Sequence, residues 1–212
     1  MSDEIDVEVA AVPRAVAPGD GIADPGPIGL AAFAMTTFVL SCFNSKIINN
    51  PGLEGVVLPL ALFYGGTVQL LTGMWEFRKG NTFGALAFSS FGAFWLAFFY
   101  YVKYVAAGLS PAADIHEATG LFLIAWAIFT AYMLLASLKT TMAVIAVFAS
   151  LTATFIFLAI GALDHSLAPV NGITQIGGYL WLLTALFAWY ASCAGVVNST
   201  WKRVVLPVGP MS

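Results

Sequence analysis

Charge is the first thing this chain is short of. Only 9% of its 212 residues are Asp, Glu, Lys or Arg, against roughly 25% in ordinary globular proteins. Eight basic residues cannot build the cationic face that displaces counterions from a nucleic acid, so nucleic-acid binding is excluded. With 60% hydrophobic residues the chain is equally far from a disordered composition. Cysteine and histidine are scarce too. Cys42 and Cys193 give neither a disulfide framework nor metal-ligand spacing, and His116 and His165 lie in polar stretches between apolar runs. A metal hydrolase or thiol enzyme has little to work with, and the reading predicts no catalytic site, no cofactor and no metal.

The charges that exist are unevenly placed. Six of the eleven acids (Asp3, Glu4, Asp6, Glu8, Asp20, Asp24) fall in the first 24 positions. Residues 1–24 lack the basic start and apolar stretch of a signal peptide and read as an acidic, flexible tail. Uncharged runs follow at about 26–45, 55–75, 81–102, 118–138, 140–163 and 171–201. Each has the length of about 20 residues that a membrane-crossing helix needs, and none alternates as membrane strands do. The prediction is an all-α membrane protein. Six transmembrane helices occupy residues 25–202, and a short tail covers 203–212.

Orientation follows from lysine and arginine. Arg14, Arg78, Lys79, Lys139, Lys202 and Arg203 fall on the side of the N-terminus, against Lys46 and Lys103 on the other. Both termini are therefore expected in the cytoplasm, with the helices in the plasma membrane. Trp75, Tyr100, Tyr101, Tyr104 and Trp201 stand near run ends, as an interfacial belt requires. Asp24-Pro25 reads as a helix start, with a carboxylate to accept first-turn N–H groups and a proline suited to that turn. Asn81 or Thr82 offers a cap for the third helix. Pro59 and Gly65-Gly66 are expected to bend the second span or bring it close to a neighbour.

Inside the spans, Gly29, Phe33, Thr37, Leu40 and Asn44 recur at spacings of three and four and share one face of the first helix. Thr36 and Ser41 border it. Most serines and threonines read as packing residues whose hydroxyls bond to the previous turn. Gln69 and Asn44 have four hydrogen-bonding positions each to satisfy, which favours a pore or a helix-to-helix bond. No Asp, Glu, Lys or Arg stands in the middle of a run, where a charge costs about 2.5–3.5 kcal/mol. A crossing solute is then small and neutral, or neutralised by a proton, or hydrated by hydroxyls, amides and helix N-termini.

Several motifs resemble a known family. Asp24-Pro25-Gly26-Pro27-Ile28-Gly29-Leu30 followed by Met35-Thr36-Thr37 is similar to the opening signature of the acetate uptake transporters, the succinate–acetate permease (SatP/YaaH) family. Phe63-Tyr64-Gly65-Gly66, Gln69, Gly80-Asn81-Thr82-Phe83-Gly84, Phe94-Trp95 and Val205-Leu206-Pro207-Val208-Gly209 also match, so the resemblance covers about residues 23 to 210. It implies a homo-hexamer of six-helix protomers, each with its own pore for acetate and similar small carboxylates. It also implies a narrowest point made by a phenylalanine, a tyrosine and a leucine, which fall on Phe33, Phe91 and Leu151. Phe91 stands where the family has tyrosine, Asp24 where it usually has asparagine, and Phe43 where some relatives have histidine. At about 1.5 Å per residue, Phe33, Phe91 and Leu151 lie roughly 11, 14 and 15 Å into helices that start on one side. They fall in one layer near the midplane of a core about 30 Å thick.

The expected function is a transporter or channel for acetate and other small carboxylates, with succinate among the candidates, coupled to protons or passing the protonated acid. Asp24, Pro25, Thr36, Thr37, Asn44, Gln69 and Asn81 are expected along the substrate pathway, on either side of the constriction. A channel for a small neutral solute such as urea, a short amide or ammonia is the alternative, and a non-transporting sensor of the same fold is a second. Cys42 and Cys193 fall at different depths and are expected as free thiols. Deleting residues 2–20 should leave uptake in a reconstituted assay unchanged, since the tail reads only as a solubilising segment.

Overall fold

The computed structural model describes residues 21–109, 112–164 and 170–211. The expectations for residues 1–20 and for His165 fall outside the described residues. Among the described residues six helices account for the fold: α1 Gly26–Asn44, α2 Pro51–Lys79, α3 Thr82–Val105, α4 Ala112–Ser137, α5 Met142–Leu163 and α6 Gly172–Trp201. All six are long and apolar enough to cross a membrane. The shortest, α1, has 19 residues and so rises about 28 Å, close to the thickness of a bilayer core. A bridge between Thr141 and Pro210 is the one extended pairing among the described residues.

The helix ends follow local chemistry. Asn81 caps α3 by accepting from the Gly84 N–H at 3.1 Å, and Thr141 caps α5 by accepting from Val144 at 3.2 Å. Asn171 does the same for α6, accepting from Thr174 at 2.9 Å. Gly80 closes α2 at φ +81°, a left-handed backbone that favours glycine. The cap of α1 is Pro25 and not the expected Asp24, which stands one residue earlier; its carboxylate still accepts from the Gly26 N–H at 3.1 Å.

The helices pack in chain order. α1 lies against α2, α2 against α3, α4 against α5 and α5 against α6. The most extensive packing of α1 is with α6, which closes the ring; α3 and α4 touch least. Small residues allow the close approach. Gly73 of α2 faces Ser89 of α3, Gly92 of α3 faces the backbone of Leu70 and Gly66, and Gly178 of α6 faces the backbone of Asn44 and Ser45. Hydroxyl bonds that cross between helices include Thr184 to Ser150 at 2.8 Å, Ser192 to the Pro27 carbonyl at 2.6 Å and the Tyr101–Thr119 pair at 2.8 Å. Most of the others bond to the preceding turn of their own helix, as expected: Thr36 to Ala32, Ser41 to Thr37, Thr152 to Phe148 and Thr154 to Ser150.

The second span differs from its expected bounds. It begins at Pro51 rather than Gly55 and runs on through Glu76 to Lys79, because a helix need not stop at its first charge: the buried Glu76 carboxylate accepts from Asn81. Directly after Pro59 it changes register, and Leu60–Val68 is wound as a π-helix. The Thr67 hydroxyl follows that register, bonding to the Leu62 carbonyl five residues back at 2.8 Å. Gly65 there lies against Thr36 and Trp95, so the glycine pair does bring α2 close to its neighbours. Tyr101 also departs from expectation. It turns inward to bond Thr119 at 2.8 Å, whereas Trp75, Tyr100, Tyr104 and Trp201 remain exposed as a belt requires.

The segment after α6 folds back over the bundle end. Its Gly209 and Val208 carbonyls accept from the Met142 and Ala143 N–H groups at 2.8 and 3.2 Å, satisfying the start of α5. Asn198 holds it through Val205 and Leu206, and Tyr190 through the Pro207 carbonyl. Cys42 is buried and Cys193 exposed, and both are free thiols. A Cβ at Gly92 would sit 2.5 Å from the Leu70 nitrogen and 2.9 Å from the Gly66 oxygen, both backbone atoms that cannot rotate away. Gly92→Ala should therefore lower stability in detergent by about 1–3 kcal/mol. Thermal unfolding alongside Gly55→Ala, whose Cβ meets nothing within 4 Å, provides the check.

Candidate functional site

Two cavities enter the ring from opposite ends. The first, of about 360 Å³, opens at the end that carries the start of α1 and the returning segment after α6, here called the termini side, and is lined at its mouth by Asp24, Lys79, Asn81, Thr141 and Val208. It runs inward to Phe33 of α1, Phe91 of α3 and Leu151 of α5. The second, of about 500 Å³, is lined toward the far end by Asn44, Glu54, Tyr101, His116, Thr119 and Thr174. It reaches inward to Leu40, Phe94, Leu158 and Trp181. No residue lines both.

Between them lies a layer of carbon. Phe33, Phe91 and Leu151 are 3%, 3% and 1% exposed. The Phe91 ring stands 5.7 Å from that of Phe33 and stacks on Phe155 at 6.5 Å. Phe94 meets Phe155 edge-on at 5.6 Å, and Trp95 stacks on Trp181 at 5.8 Å. One helical turn past Phe33 and Phe91 stand Thr37 and Trp95, each with a buried polar atom that has no partner. Gln69 Oε1 and Trp181 Nε1 are in the same condition. An unmade hydrogen bond in such a place costs about 1–3 kcal/mol.

The expected pathway residues divide into those that face a cavity and those that do not. Asp24 and Asn81 line the termini-side cavity, and Asn44 lines the far one. Pro25, Thr36, Thr37 and Gln69 line neither. Pro25 is buried below the first turn of α1. Thr36 and Thr37 are fully buried, and Gln69 is 1% exposed. Their faces are used up by helix contacts, with Thr36 set against Gly65 where α1 meets α2. Small polar residues serve packing and solvation alike, and sequence spacing does not separate the two.

The mouth of the termini-side cavity holds the charges. Lys79 Nζ meets Asp24 Oδ1 at 2.6 Å. Asp24 thus accepts both from Lys79 and from the first turn of α1. With Asp24 55% and Lys79 34% exposed, such a pair contributes about 0–1 kcal/mol, so its effect is on local potential more than on stability. Deeper in is Glu76, only 1% exposed, whose Oε2 accepts from Asn81 Nδ2 at 2.8 Å. Three helices begin at this end, and several of their leading N–H groups are taken: Gly26 by Asp24, Gly84 by Asn81, Val144 by Thr141, and Met142 and Ala143 by the returning C-terminal segment.

Glu76 was missed because its charge marks the end of an uncharged run. Its helical phase held the signal. Gln69, Thr72, Gly73 and Glu76 form the buried face of the last part of α2, at spacings of three, one and three. The far-side groups Glu54, Tyr101, His116 and Thr119 were missed for a different reason. They lie in turns and helix ends whose convergence depends on tertiary packing.

A sequence profile of the GPR1/FUN34/yaaH family matches residues 9–212. The chain belongs to this family. Among the relatives of this GPR1/FUN34/YaaH protein, acetate permease A of Emericella nidulans is 41% identical over 198 residues, which are 88% of this chain and 65% of that protein. Ammonia transport outward protein 2 of Saccharomyces cerevisiae is 39% identical, over 87% of this chain and 65% of its own length. The chain thus spans just under two thirds of these fungal relatives. The succinate-acetate/proton symporter SatP of Escherichia coli is 36% identical over 89% of this chain and 96% of its own. A solved structure of the bacterial acetate channel SatP superposes with a TM-score of 0.79, at 36% identity, covering 89% of this chain and 99% of that one.

Asn81 both caps α3 and holds Glu76, so its loss should be felt twice. Asn81→Ala is expected to cost about 1–2 kcal/mol of stability in detergent. Asn81→Asp keeps a cap acceptor but sets a second carboxylate against Glu76, and should cost more in the same unfolding measurement.

Proposed function

We propose that this chain is a transporter for acetate and other short carboxylic acids, succinate among them, with the conduction path inside each protomer. The observation that carries the reading is the layer of Phe33, Phe91 and Leu151 between two cavities that enter from opposite ends. A bare carboxylate pressed into a dry carbon layer loses its hydration and receives nothing in return. Its protonated form carries no net charge and crosses at far lower cost. The layer therefore favours passage of the neutral acid, or of an anion accompanied by a proton. Both cavities have room for a short acid together with several waters. Asp24 and Asn81 at one end and Asn44 at the other are the groups we assign to the hydrated approaches. Pro25, Thr36, Thr37 and Gln69 support the path from behind.

The relatives named for acetate and for succinate–acetate/proton symport support this substrate class. The charge asymmetry supports a plasma-membrane orientation with both termini in the cytoplasm. The hexamer rests on the family resemblance, and residues 1–24 are assigned as an acidic tail whose last residue, Asp24, reaches the cavity mouth. The relatives named as transporters and channels support the reading of a transporter and not an enzyme. A second reading is passage of a neutral solute such as ammonia, favoured by the uncharged layer and by the relative named for outward ammonia transport.

Purified protein in liposomes tests these readings. Uptake of labelled acetate should rise with an inward proton gradient, and flux indifferent to that gradient would sink the proton-linked version. Failure of ammonia or urea to compete with acetate speaks for the first reading, and strong competition for the second. Phe33→Ala or Leu151→Ala, each of which removes carbon from the layer, should admit longer acids relative to acetate. Unaltered size selection in both variants would count against the constriction.

A further inference from the structure

We infer that Glu76 selects the protonated acid at the termini-side cavity, by accepting its O–H and repelling the carboxylate form. The inference rests on the transport reading above and adds the residue that discriminates between the two forms of the substrate. Glu76 is the one carboxylate of that cavity buried to 1% exposure, and it stands on the wall that leads inward to the carbon layer. Three neighbours favour its anionic form. Asn81 Nδ2 donates to its Oε2 at 2.8 Å, and the start of α1 lies directly over it, with the Cβ position of Gly26 3.6 Å from its Oε1. A Cβ on Gly84, in the first turn of α3, would meet the Glu76 carboxyl carbon at 2.8 Å, so a second helix start lies just as close. Both N-terminal ends favour negative charge there.

The charged groups facing Glu76 are few. Lys79 stands one turn on along α2, and Asp24 precedes α1; α3 contributes the neutral Asn81. From α5 and α6 the cavity takes Thr141 and Asn198, which carry no charge. Asp24 and Lys79 pair with one another at 2.6 Å, so their charges cancel at the mouth. Glu76 is what remains, and the cavity lining carries one net negative charge. A carboxylate entering beside Glu76 places two like charges at hydrogen-bond distance in surroundings of low dielectric, and such a pair holds together only by sharing a proton. The carboxylic acid supplies that proton in its own O–H and makes a strong hydrogen bond to the anionic oxygen. The dry layer governs which form crosses; Glu76 governs which form passes along the cavity toward it.

The test compares the whole protein in liposomes with Glu76→Gln and Glu76→Asp. Wild-type acetate uptake should fall about tenfold for each pH unit above the acid's own pKa, as the neutral fraction does, and should ignore membrane potential. Glu76→Gln keeps an acceptor for Asn81 but loses the charge, so it should admit the anion. Its uptake should fall by less than about threefold per pH unit and respond to a potential imposed with a potassium gradient. Glu76→Asp should retain the wild-type profile. A Glu76→Gln profile that matches wild type and ignores potential assigns all selection to the carbon layer and overturns this inference alone. Absence of acetate uptake in the wild type overturns the transport reading and this inference with it. Independently of any variant, carbodiimide labelling of Glu76 in the wild type, read by mass spectrometry, should be slowed by acetate at acid pH. Labelling that acetate leaves untouched overturns the inference as well.

Discussion

A charge set against carbon instead of water loses a solvation energy larger than any packing contact can restore. In this molecule the place where that cost arises is narrow. Phe33, Phe91 and Leu151, backed by Phe94, Phe155 and Trp181, separate two cavities that share no lining residue. Everything else in the bundle can be described by its relation to that layer. Polar groups are tolerated on either side of it, and the carboxylates that line a cavity stand away from it. The aromatic rings within it pack edge-to-face and stacked, so the layer is held by shape and is not a loose plug.

Holding three side chains from three helices in one plane requires the helices themselves to be fixed in depth. Glycines at the crossing points do this, because backbone-to-backbone approach leaves little freedom to slide. The interhelical bonds from Ser192 to Pro27 and from Thr184 to Ser150 add polar ties that lipid cannot replace. The π-helical stretch of α2 shifts its register just before Gln69, which sets the face that carries Thr72, Gly73 and Glu76 toward the interior.

Much of this was legible in the sequence, and the limits have physical causes. Six charge-free runs of sufficient length specify six membrane helices almost without reference to residue identity. Helix rise then places Phe33, Phe91 and Leu151 at one depth, and the structure brings all three onto one cavity. Whether Thr36 and Thr37 face solvent or a neighbouring helix was not legible, because a small hydroxyl residue satisfies itself on its own helix in either case. Glu76 was hidden by the practice of ending a span at its first charge. Pro59 and Gly65-Gly66 signalled an irregularity in α2, yet the kind of irregularity depends on which carbonyls the neighbours leave free.

The closure of the ring through α1 and α6 bears on how the protein is made. The first of these six helices to be synthesised has its most extensive packing with the sixth. Its surface at Pro27, Phe38 and Asn44, which packs on Gly195, Trp189 and Gly178, therefore has no permanent cover until about 150 further residues have been synthesised and Gly172–Trp201 has inserted. During that interval the nascent chain is an open arc with one unsealed edge. Chaperoning of that edge, by the insertion machinery or by a neighbouring copy, is a requirement imposed by the order of the helices alone.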